Sequence, residues 1–219
     1  MASRRREKSD DDNDTGAAPD RAELRAAALS YLARYASTQG ALTRVLDKRI
    51  ETWARKAGSR YEIGEQDRAT VAAAVIAAKA LAREVVATMA QAGAVDDAAY
   101  AETRANSLRR AGRSHRAVAA ALGAKGVDRE TVRNVLENES VGGQAAELTA
   151  AIRLARKRRI GPFRAGEAPD SAGQNKELAI LARAGFAQPI ARQALAMDRA
   201  EAEEVLSAPP EHPADGQDS

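Results

Sequence analysis

From Ala22 onward, apolar residues recur at three- and four-residue intervals, the spacing that lines up one side of an α-helix. A first helix is predicted with Leu24, Ala28, Tyr31, Leu32 and Tyr35 on its inner side, the tyrosines as core residues. Ser37 or Thr38 has the hydroxyl an N-cap needs, and restarts the chain into a second helix. That helix turns Leu42, Val45, Leu46 and Ile50 inward, and Trp53 extends the stripe. Arg44, Lys48, Arg49, Arg55 and Lys56 give it a basic flank. Gly58–Gly64 breaks the pattern, and a long third helix is predicted over Glu65–Gln91, buried through Val71, Val75, Ile76, Leu81, Val85 and Met89.

The stretch Leu81–Leu136 is the centre of the chain. Asp96-Asp97, Gly112-Arg113-Ser114 and Gly126-Val127-Asp128 punctuate its helical segments. The glycines mark helix stops, and Asp96 or Asp97, Ser114 and Asp128 are N-cap candidates. Leu108, Val118, Leu122, Val132 and Leu136 are spaced so that successive short helices close on one another. After Gly142-Gly143, Leu148, Ile152 and Ala155 form the stripe of a further helix, which Gly161-Pro162 should end. Phe163–Asn175 reads as a loop, Leu178, Leu181 and Phe186 resume the pattern, and Met197–Leu206 adds a last short helix. Long β-branched alternation is absent, so the fold class is all-α.

Pieces of the central stretch recur on both sides, and a missed repeat miscalls a fold. A shift of 76 residues places Leu32–Leu46 on Leu108–Leu122, matching Arg34 with Arg110 and Thr38 with Ser114. A shift of 59 places Leu122–Leu136 on Leu181–Leu195, matching Gly126 with Gly185 and Val127 with Phe186. Together the two offsets predict three tandem three-helix repeats over residues 23–92, 93–140 and 141–206. The charged flanks, residues 1–22 and 207–219, are too poor in large apolar side chains to fold alone and are expected to be disordered.

Composition supports a helical chain: aromatics are only 3%, while the abundant alanines lose no side-chain entropy in a helix. There is no cysteine, which excludes disulfides and thiolate metal sites. The start is too polar for a signal peptide, and Lys79, Arg83 and Glu84 interrupt the alanine-rich run, so no membrane partner and a cytoplasmic location are expected. Net charge is +3 but unevenly divided. Residues 1–22 carry five basic and six acidic side chains and residues 198–219 one and seven, which leaves a body of +10. A basic body beside an acidic end points to a polyanionic or acidic partner, and to an end that competes for the same surface.

Two clusters concentrate that charge. Arg104, Arg109, Arg110, Arg113 and Arg116 lie within thirteen residues free of acid. Arg153, Arg156, Lys157, Arg158, Arg159 and Arg164 lie within twelve more that are equally acid-free. Arginine's planar fork grips phosphate or carboxylate bidentately. The competing account is a solvated face with helix C-terminal cations that complement the macrodipole. Arg104 falls inside an apolar arc with Tyr100, Ala105 and Leu108, which predicts structural pairing with Asp96 or Asp97. His115, just after the Ser114 cap, is a first-turn structural histidine rather than a catalytic one.

No Walker loop, zinc spacing, Gly-x-Ser-x-Gly or dinucleotide fingerprint is present, so neither an enzyme nor a bound cofactor or metal is expected. A helix-turn-helix transcriptional regulator is the alternative, because Ser114–Leu136 has the alanine, Leu-Gly and Thr-Val arrangement of such DNA readers. Gly123 precedes Val132 by nine residues, a longer turn than the compact motif uses.

At this point the sequence resembles the RecX family, bacterial regulators of the RecA recombinase. The resemblance is carried by ALSYLARYAS (Ala28–Ser37), AGAVDDAAYAETRANSLRRAGRS (Ala92–Ser114), KGVDRETVRNVL (Lys125–Leu136), ARKRRIGPF (Ala155–Phe163) and LARAGFAQPIARQAL (Leu181–Leu195). It implies three tandem three-helix repeats forming an elongated, curved helical protein that lies in the groove of the RecA nucleoprotein filament. It also implies inhibition of RecA's ATPase, strand-exchange and coprotease activities, and so a part in recombination, DNA repair and the SOS response. The expected partner surface is Arg109, Arg110, Arg113, Arg116, Arg153, Arg156, Lys157, Arg158, Arg159 and Arg164, on a monomer with weak non-specific affinity for DNA.

Overall fold

A computed structural model describes residues 16–59, 65–139, 143–167 and 169–208. Of the flanks expected to be disordered, residues 1–15 and 209–219 fall outside them, as does most of the Gly58–Gly64 break, whereas Arg21 and Ala22 open a helix capped by Asp20 and Ser207 closes another. The described residues form α-helices α1 (Arg21–Leu32), α2 (Gln39–Ser59), α3 (Glu65–Gln91), α4 (Asp97–Arg110), α5 (His115–Ala124) and α6 (Arg129–Glu139). They continue through α7 (Gly143–Arg158), α8 (Ser171–Arg183), α9 (Gln188–Ala196) and α10 (Arg199–Ser207), with a 3₁₀ turn at Gly161–Phe163. Among the described residues there is no strand: the fold is all-α, in three helical triplets followed by α10.

Contacts group these helices into two compact units. The first holds α1, α2 from Leu42 onward, and α3. The second holds Ala36–Ala41 together with α4 to α10. In the first unit α1 packs along α3. Leu24 and Ala28 of α1, Leu42, Leu46 and Ile50 of α2, and Ala78, Ala82, Val85, Val86 and Met89 of α3 are buried. An ion pair between Arg21 and Glu84 links α1 to α3, and Lys79 Nζ to Glu51 at 2.8 Å links α3 to α2.

Two sequence expectations fail here. Ile76 is 71% exposed, because the inner ridge of α3 is carried by alanines at 78 and 82 rather than by every large side chain. Tyr35 is 55% exposed, because α1 ends at Leu32 and the tyrosine lies beyond its last turn, tilted on Tyr31 with ring centroids 5.1 Å apart.

In the second unit, α4, α5 and α6 close on Ala101, Ala105, Val118, Leu122, Val127 and Val135, with Tyr100, Leu108, Val132 and Leu136 packed against them. A larger core gathers Leu148, Ile152 and Ala155 of α7 with Leu181, Phe186, Ile190 and Ala194, and α10 adds Ala202. The predicted caps form as hydrogen bonds. Asp96 Oδ1 accepts from Ala99 N at 2.9 Å, Ser114 Oγ from Ala117 N at 3.2 Å, and Asp128 Oδ1 from Thr131 N at 2.9 Å. The loop after Phe163 is shorter than the sequence indicates. Asp170 caps α8 through Gly173 N at 2.8 Å, so Gly173 sits in the first helical turn instead of breaking it.

The two sequence offsets reappear as one hydrogen-bonding scheme repeated within this unit. Ser114 Oγ, the α5 cap, donates to the Ala184 carbonyl at the end of α8 at 2.7 Å. Thr38 Oγ1, its partner under the 76-residue shift, caps Ala41 N and donates to the Lys125 carbonyl at the end of α5. Lys125 and Ala184 are themselves partners under the 59-residue shift. Directly after each cap a carboxylate takes the next backbone N–H: Asp97 accepts from Gln39 N at 2.8 Å, and Glu147 from His115 N at 3.1 Å. Each such joint therefore satisfies both a helix's first orphan donors and another helix's last acceptor. Gly185 follows Ala184 with φ +93°, and a Cβ there would lie 2.7 Å from Ser114 Oγ, so the joint closes only around a glycine.

Candidate functional site

The two arginine clusters come from helices more than thirty residues apart, and one close helix crossing brings them together. α4 ends at Arg110, and the turn at Ala111-Gly112 then passes against the backbone of α7. The result is an open groove of about 460 Å³ lined by Arg110, Ala111, Arg153, Arg156, Lys157 and Leu206. Four of its six lining residues are cations and none is an acid. Arg110, Arg156 and Lys157 are exposed and Arg153 is half-buried, while Leu206 of α10 and Ala111 supply an apolar wall. Arg156 and Lys157 stand three and four positions beyond Arg153, which puts each about 5–6 Å from it along α7. Such a groove can grip successive phosphates or carboxylates on an extended partner.

The remaining residues expected at the site divide into two sets. Arg113, Arg116, Arg158 and Arg159 are exposed. Arg159 adopts φ +56°, at the helix end where three other helices of this unit place Gly112, Gly126 and Gly185. Arg109 and Arg164 are held internally. Arg109 is only 8% exposed and pairs through Nη1 with Glu147. Arg164 grips Glu177 by Nε at 3.3 Å and Nη2 at 2.6 Å, and the same carboxylate accepts Gly161 N at 3.2 Å. Arg164 therefore fastens the turn after α7 to α8.

Arg104 corrects a further expectation: it is exposed, and the carboxylates predicted to pair with it, Asp96 and Asp97, accept backbone N–H groups instead. The inner ridge of α4 runs Ala101, Ala105, Arg109, so the arginine that needs a buried partner is Arg109. Phe163, the aromatic nearest the second cluster, is partly buried and packs against the core of the third triplet. The basic flank of α2 lines a separate groove of about 630 Å³ in the first unit, where Asp47 and Glu51 stand among Arg44, Lys48 and Arg55. Lys79 donates to Glu51 and holds that carboxyl below its ordinary range. The exposed side of α6 likewise mixes Arg129, Glu130, Arg133 and Glu137, a poor match to the cationic recognition helix of a DNA reader.

His115 lies beside the Arg109–Glu147 pair. Burial, and then the Arg109 charge, press its pKa below the ordinary 6.5, although Glu147 pulls the other way. Its Nε2 is buried without a hydrogen-bond partner, as suits a neutral ring. A depressed folded-state pKa means that the unfolded chain binds the proton first. The histidine's contribution to stability is therefore intact above pH 6.5 and falls as the pH drops below it. Urea midpoints measured between about pH 5 and 6.5 are expected to decline more steeply for the wild type than for His115→Leu.

Among the described residues, no group of three His, Asp or Glu side chains is placed to hold a metal, and no helix is long and apolar enough to cross a membrane.

Comparison with known proteins gives one family throughout. Residues 96–136 match the family description "RecX, second three-helix domain". The chain is 37% identical over 172 residues to the regulatory protein RecX of Myxococcus xanthus, an overlap of 78% of this chain and 83% of that one. It is 42% identical over 117 residues to the regulatory protein RecX of Agrobacterium fabrum, covering 53% of this chain and 60% of the relative. In three dimensions it resembles the crystal structure of RecX from Lactobacillus salivarius, with a TM-score of 0.51 at 18% identity over 80% of this chain and 94% of that one. At that identity the likeness speaks to the fold.

Proposed function

The chain belongs to the RecX family, and from that premise we propose that it regulates RecA without chemistry of its own. It acts in the cytoplasm as a monomer that lies in the groove of the RecA–DNA filament and restrains ATP hydrolysis, strand exchange and coprotease activity. Through these it modulates recombination, DNA repair and the SOS response. One observation carries the reading: α4 and α7 contribute Arg110, Arg153, Arg156 and Lys157 to a single open groove with no acidic lining. A filament groove presents DNA phosphates and protein carboxylates to anything that enters it, and an arginine-rich groove suits both. Arg113, Arg116, Arg158 and Arg159 extend the surface, whereas Arg109 and Arg164 support it from within. Tandem triplets turn single weak contacts into a multivalent one, since each later contact forms at high effective concentration.

The test is Arg153→Glu/Arg156→Glu/Lys157→Glu in a RecA single-strand-dependent ATPase assay. The concentration for half-inhibition is expected to rise at least about tenfold, the equivalent of losing one charge-assisted hydrogen bond. Helical circular dichroism should stay unchanged, because Arg156 and Lys157 are exposed and Arg153 is half-buried at the groove. Unchanged inhibition would remove this groove from the interface.

A further inference from the structure

Leu206, the larger part of the groove's apolar wall, belongs to α10, a helix outside the three triplets. α10 packs on α7 and on the 3₁₀ turn that follows it. Ala202 is buried in the shared core and Val205 and Leu206 pack against it, so the helix is fastened at the groove's edge. Leu206 lines the groove itself, two residues before the last described residue, Ala208. The chain therefore leaves α10 beside four groove cations.

What leaves is acidic. Residues 209–219 contain Glu211, Asp215 and Asp218 and neither lysine nor arginine. They extend a run begun on α10, where Glu201, Glu203 and Glu204 are exposed and the helix's sole arginine, Arg199, is engaged by Glu203 at 3.0 Å. At about 3.3–3.6 Å per residue, Glu211 reaches some 10 Å from Ala208 and Asp218 some 35 Å. Both distances suffice to enter a groove that begins at Leu206. Between Glu211 and Asp218 lie His212, Pro213, Ala214, Asp215, Gly216 and Gln217, with no large apolar group to favour any other docking site.

We propose that the acidic segment Glu211–Asp218 occupies the basic groove between α4 and α7 as an intramolecular competitor for the anionic partner. The proposal rests on the reading of that groove as the partner-binding surface and adds its regulation. Tethering gives the segment a high effective concentration at the groove. Each exposed carboxylate–guanidinium contact is weak and screened by salt, so a filament offering many anions at once displaces it.

The experiment uses the full chain and its Glu211→Gln/Asp215→Asn/Asp218→Asn variant. In the absence of any partner, the side-chain Nε–Hε NMR resonances of Arg110, Arg153 and Arg156 are expected to move on neutralisation, and raising the salt on the wild type should move them the same way. In the RecA ATPase assay at low salt, half-inhibition by the variant is expected at about three- to tenfold lower concentration. Groove reversal at Arg153, Arg156 and Lys157 should abolish that gain. Resonances that do not respond to neutralisation overturn the proposal, whatever happens to RecA. Responsive resonances combined with wild-type inhibition by the groove-reversed protein leave the segment in the groove and instead overturn the groove's role toward RecA.

Discussion

Gly112→Val is expected to destabilise the second unit by about 3 kcal/mol or more and to abolish the groove with it. Two independent penalties meet at this position. Gly112 has φ +78°, and an L side chain in the left-handed region costs about 1–2 kcal/mol. A Cβ would also sit 3.0 Å from Leu154 N, 3.2 Å from the Ala150 carbonyl and 3.3 Å from Arg153 Cβ. Two of those neighbours are backbone of α7, which no rotamer change can move aside. Relief requires α4 and α7 to separate, and their separation also carries Arg110 away from Arg153, Arg156 and Lys157. Urea denaturation should show a lower midpoint, and whatever folded protein remains should inhibit RecA poorly. Gly123→Ala is the control: nothing lies within 4 Å of a Cβ there, and it sits inside α5. That variant is expected to match the wild type or gain up to about 1 kcal/mol.

The contrast between these glycines marks the boundary of what the sequence makes legible. Gly112 is recognisable as a helix stop from its neighbours Arg113 and Ser114, and Ser114 as the next cap. These features are local, and local chemistry decides them. The same holds for α3, whose limits Glu65 and Gln91 follow from the apolar pattern between two breaks. The repeat offsets carry further still, since residues aligned by 76 and 59 positions prove to occupy equivalent places in the hydrogen-bonded joints.

Facing is harder to read, because alanine is neutral in an amphipathic pattern. A ridge such as Ala101, Ala105, Arg109 looks no more interior than its neighbour through Arg104 and Leu108. The exposure of Ile76, of Arg104 and of Tyr35 all follow from that ambiguity or from a helix ending a turn early. The arginine clusters are plain in the sequence as clusters. Their meeting in one groove is not, because it depends on how closely Gly112 lets two helices cross. Nor does spacing reveal which arginines are spoken for: the Glu147 that claims Arg109 lies 38 residues away, and the Glu177 that claims Arg164 lies 13 residues on, in the middle of α8.

Glu147→Ala is expected to cost about 3–5 kcal/mol, the range for stripping one partner from a buried ion pair. The Arg109 and Glu147 side chains are 10% and 15% exposed, so water cannot replace the lost carboxylate. Arg109 Nη1 would keep only the Arg113 carbonyl at 3.3 Å, and Nη2 is already buried without a partner. The same carboxylate accepts His115 N, so its loss also orphans a donor in the first turn of α5. Arg109→Met/Glu147→Leu should recover most of the loss, because an apolar pair of similar volume escapes the desolvation penalty that an isolated guanidinium suffers. Urea unfolding of the two single variants and the double variant separates these accounts. If Arg109 instead faced the partner, Glu147→Ala would leave stability near wild type, and Arg109→Met/Glu147→Leu would fold normally yet lose RecA inhibition. The ordering expected from burial is the reverse: a severe stability loss in Glu147→Ala, and inhibition retained in the apolar double variant, because Arg109 positions the helices that carry the groove and does not itself meet the filament.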